Sequence, residues 1–127
     1  MKLIHYDKVT SKVVNMEGAS GISVRLPISA ADGAPNFTMR VFSFQPGGNT
    51  PYHRHGYEQQ TFVTKGKGTL LFEGGNRPLE VGSVIYAEPM EWHGFVADDV
   101  EGLEILCTVP NVAYQPGPEP ENKDWEG

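Results

Sequence analysis

From position 47 the chain reads Gly47-Gly48-Asn49-Thr50-Pro51-Tyr52-His53-Arg54-His55-Gly56-Tyr57-Glu58-Gln59-Gln60-Thr61-Phe62-Val63-Thr64-Lys65-Gly66. Its two ends are built from turn formers. Between them, Gln60-Thr61-Phe62-Val63-Thr64 is rich in β-branched and aromatic residues and predicts a strand. Strand side chains alternate between two faces, so His53 and His55 share one, and if Gly56 leaves the alternation intact the same face carries Tyr57 and Gln59. Such a His-x-His pair either lies along a solvated strand face or, where strands curve, converges on one metal ion at about 2.0–2.1 Å. In the second case the Gln59 amide oxygen could be a further ligand. A third histidine, His93, follows Pro89 at another strand edge.

Outward from this stretch the chain continues in short β-favouring runs. Lys12-Val13-Val14 and Ile22-Ser23-Val24-Arg25-Leu26 read as edge strands, and Phe37-Thr38-Met39-Arg40-Val41-Phe42-Ser43-Phe44 as a stronger one that Pro46-Gly47-Gly48-Asn49 is expected to end. Gly66 and Gly68 are expected to close the strand at 60–64. Thr69-Leu70-Leu71-Phe72-Glu73 then turns at Gly74-Gly75-Asn76 and returns towards Leu79-Glu80-Val81 as a hairpin. Ser83-Val84-Ile85-Tyr86-Ala87 and Glu104-Ile105-Leu106-Cys107-Thr108-Val109 complete a set of eight to ten strands. Turn signals separate them at the spacing of a sandwich or barrel, and no segment carries a sustained helical period. The fold class is therefore all-β.

Composition sets the remaining bounds. The chain has 127 residues, which argues for one domain. We expect N-terminal strands over residues 1–31 packed at the barrel or at a dimer interface, a barrel over 32–114, and an acidic, Pro-rich tail over 115–127 in which Trp125 docks on a partner subunit. Ten Lys and Arg against sixteen Asp and Glu give a net charge of −6, so neither nucleic acid nor an anionic membrane surface is an expected partner. The N-terminus lacks the apolar core of a signal peptide, no stretch has the length of a membrane span, and Cys107 is the sole cysteine. Together these predict a cytoplasmic protein.

With these residues in view the chain resembles a known family. Gly47, His53, His55, Gln59 and Gly66 stand at the spacing of the first cupin motif, with glutamine where glutamate is usual. Gly82, Pro89 and His93 are similar to the second motif, displaced by one residue on each side of the proline and with Glu91 where glycine is usual. The flanking sequence resembles small stand-alone monocupins that bind manganese or a similar metal. The resemblance implies a double-stranded β-helix, a jelly-roll barrel with a metal inside, and commonly a homodimer. It carries His53, His55, Gln59 and His93 over as ligands of one divalent metal per chain, and ligands of these types admit Mn, Fe, Co, Ni, Cu or Zn. Three-His-one-Gln centres of this kind resemble those of cupin hydroxynitrile lyases and of cupins that linearise unsaturated uronates.

Around such a metal we expect Tyr57, Thr61, Arg40 and Cys107, with Trp92 and Phe95 beside His93. Arg40, in an apolar run, is either an inward anchor for a carboxylate substrate or an outward partner in a dimer-interface ion pair. Tyr57 is either a general acid or a wall of the pocket, and Cys107 a small buried hydrophobe. A neutral Gln59 leaves the full divalent charge uncancelled, which favours Lewis-acid chemistry over support of a high oxidation state. The expected function is a metal-dependent enzyme acting on a small polar organic substrate, either an oxygenase (dioxygenase) or a redox-neutral lyase or isomerase. The alternative is a non-catalytic barrel that binds or senses a metal or small ligand.

Overall fold

The computed structural model describes residues 1–111; the tail expected over 115–127, with Trp125, lies outside the described residues. Eight strands form among the described residues: β1 (Lys12–Val13), β2 (Ser20–Ile28), β3 (Phe37–Asn49), β4 (Gln59–Phe72), β5 (Gly75–Glu80), β6 (Val84–Ala87), β7 (His93–Ala97) and β8 (Leu103–Pro110). All their pairings are antiparallel. Two long strands organise the barrel. β4 pairs with β6 and β8 through its first half and with β5 and β7 through its second. β3 pairs with β2 on one side and with β8 on the other, and reaches β7 at Asn49. Strands that change partner along their length roll the sheet into the expected jelly-roll β-helix.

Those two strands are longer than the sequence reading allows, and glycine is the reason. β4 runs through Gly66 and Gly68 instead of ending there. A Cβ at Gly66 would stand 2.2 Å from the Gly102 carbonyl oxygen, and one at Gly68 2.3 Å from that of Val96. These glycines mark the point where β4 passes from β8 to β7 and neighbouring backbones close on it. β3 likewise continues through Gly47 and Gly48 across a register irregularity opposite Ser20 and Ile22, and a Cβ at Gly48 would lie 2.7 Å from the Gly21 oxygen. Of the glycines expected as terminators, Gly48, Gly66 and Gly68 are sites of close backbone approach.

A further expectation changes. β7 was not foreseen as a strand, because only five residues with Gly94 among them carry little propensity; its membership comes from pairing with β4 from Gly68↔Ala97 to Phe72↔His93. β2 is paired with β3 from Ser20↔Asn49 to Ile28↔Met39, and β1 with β2 from Lys12↔Val24 to Val13↔Ser23, so both N-terminal strands pair within their own chain. The hairpin forms as expected, with Phe72 opposite Gly75.

The interior is divided by composition. Ile22, Val24, Phe42, Phe44, Val63, Phe95, Leu103 and Ile105 fill one end as a continuous apolar cluster. One residue pair further along the same strands, Arg40 lies opposite Cys107 and Cys107 opposite Thr61. The barrel thus becomes polar towards its other end, where the histidines lie. We expect Gly68→Ala to cost at least about 2 kcal/mol, since a methyl group would have to displace backbone. Gly56→Ala, with nothing within 4 Å of the added carbon, is expected to change stability by no more than about 0.5 kcal/mol. Urea unfolding of the two variants checks this, and equal midpoints would refute the close-approach account.

Candidate metal centre

The segment between β3 and β4 meets the start of β7 through a reciprocal backbone pair. The His53 amide donates to the His93 carbonyl at 2.9 Å, and the His93 amide donates to the His53 carbonyl at 2.8 Å. Residues opposite each other in an antiparallel pair present side chains on one face, so this pair alone brings the two imidazoles together. His55, two residues on from His53, joins them. Burial alternates through Gly56 without interruption: His53, His55, Tyr57, Gln59, Thr61 and Val63 are buried, and Gly56, Glu58 and Gln60 are exposed. One ring nitrogen from each of His53, His55 and His93 lies within 4.8 Å of those of the other two, so the three are positioned to hold a metal ion.

Second contacts select the ring nitrogen that is available. Nδ1 of His53 faces the Pro51 carbonyl at 2.7 Å, that of His55 the Tyr57 carbonyl at 2.7 Å, and that of His93 the Glu91 carbonyl at 2.8 Å. A carbonyl oxygen only accepts, so Nδ1 carries the proton in all three and the Nε2 lone pairs remain for a ligand. His93 Nε2 is buried and has no hydrogen-bond partner among the described residues. His55 Nε2 stands 3.2 Å from the Gln59 Oε1 oxygen. In this tautomer that contact sets two lone pairs against each other, an arrangement that a cation between them would relieve. The residues present therefore fit a divalent ion.

Burial pushes the protonation of these rings down. It is the leading cause at His53, lowered to about 3 with help from neighbouring His93, and at His55, lowered to about 4 with the same help; the Arg40 guanidinium adds to both. Burial also lowers His93, followed by Arg40 among the groups that act in the same direction. All three are neutral near pH 7, the form that binds metals.

Gln59 is oriented by its other neighbours. Arg40 Nη2 donates to its Oε1 at 3.0 Å, and its Nε2 donates to Thr61 Oγ1 at 3.1 Å. A guanidinium has no acceptor, so the atom facing it is the oxygen, and this same oxygen faces His55. Arg40 is 1% exposed and lies 5.1 Å from the Phe42 ring, which corrects the reading that points it outward into an interface ion pair. Cys107 is fully buried, its thiol pushed up by burial and packed between Thr61 and Gln59. Tyr57 lies flat on His55, with centroids 3.9 Å apart and an interplanar angle of 11°, and Phe95 meets His93 edge-on.

Trp92 stands beside His93 yet turns to Tyr52, on which it stacks, with Arg54 4.9 Å from its ring. A cleft of about 410 Å³ opens next to His93 between β4, β5 and β6. Its walls include Leu70, Phe72, Arg77, Leu79, Ile85 and Ala87, along with Trp92. Apart from Trp92, the sequence reading missed these residues, because only the strand register assigns them to the interior.

A pH dependence follows. The folded, metal-free protein binds fewer protons than the unfolded chain below pH 6.5, since all three histidine pKa values are lowered on folding. Its stability is therefore present above that pH and lost as pH falls towards 4. The carboxylates whose pKa values are lowered, Asp32 and Asp98, act only at lower pH, starting near 3.8. We expect the melting temperature of chelator-treated protein to drop between pH 7 and 4.5. A flat profile across that range would contradict the neutral, buried cluster.

Comparison with known proteins agrees with this geometry. A family model described as Cupin domain matches residues 40–109. Auxin-binding protein 4 of Zea mays is 32% identical over 107 residues, which are 74% of this chain and 52% of that protein. Auxin-binding protein 5 of Zea mays is 44% identical over 55 residues, 43% of this chain and 35% of that one. The chain thus spans about half or less of the length of these curated relatives. Among solved structures, the polyketide cyclase RemF from Streptomyces resistomycificus matches with a TM-score of 0.85 and 29% identity, covering 96% of this chain and 84% of that one. KdgF from Halomonas sp. matches with a TM-score of 0.72 at 22% identity, over 87% of this chain and 94% of that one, a likeness of fold alone. With a jelly-roll barrel, three converging histidines inside it and a family match over more than half its length, the chain belongs to the cupin family.

Proposed function

We propose that this chain is a metal-dependent enzyme that activates a carbonyl compound bearing an acidic α-hydrogen, by redox-neutral chemistry of the lyase, isomerase or cyclase kind. The carrying observation is the set of neutral donors. Three imidazoles held as Nδ1–H tautomers and one amide oxygen add no negative charge, and Arg40 adds a positive one beside Gln59. A divalent ion held by His53, His55, His93 and Gln59 supplies Lewis acidity towards a carbonyl or enol oxygen. The chain's own residues set how strongly that is felt. Arg40 holds the amide oxygen towards His55, and the largely apolar walls of the cleft beside His93 offer few competing polar groups, so negative charge developing on a substrate oxygen is met chiefly by these groups. Likeness to a polyketide cyclase supports the class, since a polyketide carries repeated carbonyl groups and ring closure neither oxidises nor reduces it.

The test is hydrogen–deuterium exchange at the α-carbon of an aryl methyl ketone in D2O, followed by proton NMR. Metal-dependent exchange that disappears in the His53→Ala/His93→Ala protein is the expected result. Gln59→Glu is expected to bind metal more tightly and to exchange at least about tenfold more slowly at full occupancy, because a carboxylate cancels one unit of charge at the metal. Metal-dependent oxygen consumption matched to substrate loss would replace this reading with an oxygenase. Binding of the ketone without exchange would leave the non-catalytic binding module.

We further propose a homodimer formed through the outer sheet face, in place of the N-terminal strands. On that face Val84, Phe62, Leu106 and Val41 lie in one cross-strand row over β6, β4, β8 and β3. Val84 is 72% exposed, Phe62 45% and neighbouring Tyr86 57%. Val41 at the far end of the row is buried and Leu106 half-buried, so the exposed apolar patch is formed by Val84, Phe62 and Tyr86, and a patch of this kind favours association. Light scattering is expected to give the mass of two chains, and Phe62→Glu/Val84→Lys the mass of one; a monomeric parent protein would end the proposal.

A further inference from the structure

The cleft beside His93 holds one cation among largely apolar walls. Arg77 on β5 lies opposite Leu70 on β4, which lies opposite Phe95 on β7. Directly opposed residues share a face, so Arg77 lies on the inward-facing row of β5, at the solvent-exposed mouth of the cleft. It lines the same cleft as His93, together with Leu70, Phe72, Leu79 and Ile85. Among the described residues its side chain makes no hydrogen bond, ion pair or ring contact. Several other cations among the described residues are engaged: Lys2 with Asp32, Lys67 with Glu101, Arg25 with the Val9 carbonyl, Arg40 with Gln59 and Arg54 with Trp92. Glu91, the acid that shares the cleft, is turned back to accept from the Glu88 amide at 2.9 Å.

We propose that Arg77 recognises an anionic group on the substrate, and that the compound bound here is an apolar carboxylate: a flat or branched hydrocarbon body with a carboxylate at Arg77 and a carbonyl at the histidine end. A guanidinium presents a planar fork that matches a carboxylate through two parallel hydrogen bonds. The cleft volume of about 410 Å³ falls in the range of small-molecule sites, and Leu70, Phe72, Leu79, Ile85 and Trp92 suit a body without polar groups. In a chain of net charge −6, Arg77 and the metal centre form a local positive region that selects anions from solution. The inference rests on the proposed carbonyl-binding metal centre and adds the second contact point, which sets the length and charge of the compound.

The experiment compares two probes on zinc-loaded protein by calorimetric titration: 6-acetyl-2-naphthoate, which has a carbonyl and a carboxylate at opposite ends of a flat apolar body, and 2-acetylnaphthalene, which lacks the carboxylate. The acid is expected to bind about tenfold more tightly than the ketone at low salt, with the gap narrowing as salt is raised. Arg77→Met is expected to abolish the gap while changing ketone affinity less than twofold, and Arg77→Lys to restore part of it. Equal loss of both probes in Arg77→Met, no preference for the acid in the parent protein, or no binding of either probe at millimolar concentration would each overturn the proposal. Failure of the metal reading looks different. In that case both probes bind His53→Ala/His93→Ala as they bind the parent, while Arg77→Met still removes the preference for the acid.

Discussion

The reciprocal hydrogen bonds between the backbones of His53 and His93 are the contact on which the site depends. Forty residues separate these histidines in sequence, and each lies where a loop meets the sheet. The bridge makes them cross-strand neighbours and sets both rings on the inner face, and period-two geometry brings His55 and Gln59 after them. Thr50 supports the same junction. Its amide donates to the Phe95 carbonyl, and its hydroxyl accepts from the Phe95 amide while donating to the Pro51 carbonyl. The Pro51 carbonyl in turn holds His53 Nδ1, so one short run of main chain sets position, tautomer and orientation of a ligand.

Around this junction the barrel spends little charge. The polar groups gathered at the histidine cluster are the three imidazoles, the Gln59 amide, the Thr61 hydroxyl, the Cys107 thiol and the Arg40 guanidinium, and among the described residues no carboxylate belongs to it. Burying Arg40 is costly unless its hydrogen bonds are made, and one of them goes to Gln59. The same bond gives the amide a single orientation. A residue two strands away thereby determines that an oxygen and not an amino group faces His55. The electrostatic character of the centre, neutral donors next to a buried cation, comes from Arg40 and Gln59 jointly.

Long strands were the least legible part of the fold. Gly47, Gly48, Gly66 and Gly68 read as punctuation, because glycine usually marks turns. Gly48, Gly66 and Gly68 instead admit backbones that pass at distances no Cβ would tolerate, and Gly47 takes a left-handed conformation with φ of 76°. The short strand β7 was hidden for a related reason: its five residues have modest propensity, and its place is set by pairing with Gly68 to Phe72.

What the sequence by itself determined is whatever depends on local spacing: an all-β chain, His53, His55, Tyr57 and Gln59 on one face, the hairpin at Gly74-Gly75, and the resemblance that singled out His93. Period-two alternation is a property of the backbone and needs no knowledge of neighbours. Tertiary structure alone decided which side of each strand faces the interior and which strands lie side by side. That choice turned Arg40 inward onto Gln59, engaged β2 with β3, and set Arg77 in the cleft opposite Leu70. Register is fixed by packing between strands distant in sequence, and a shift of one residue would exchange every inner side chain for an outer one.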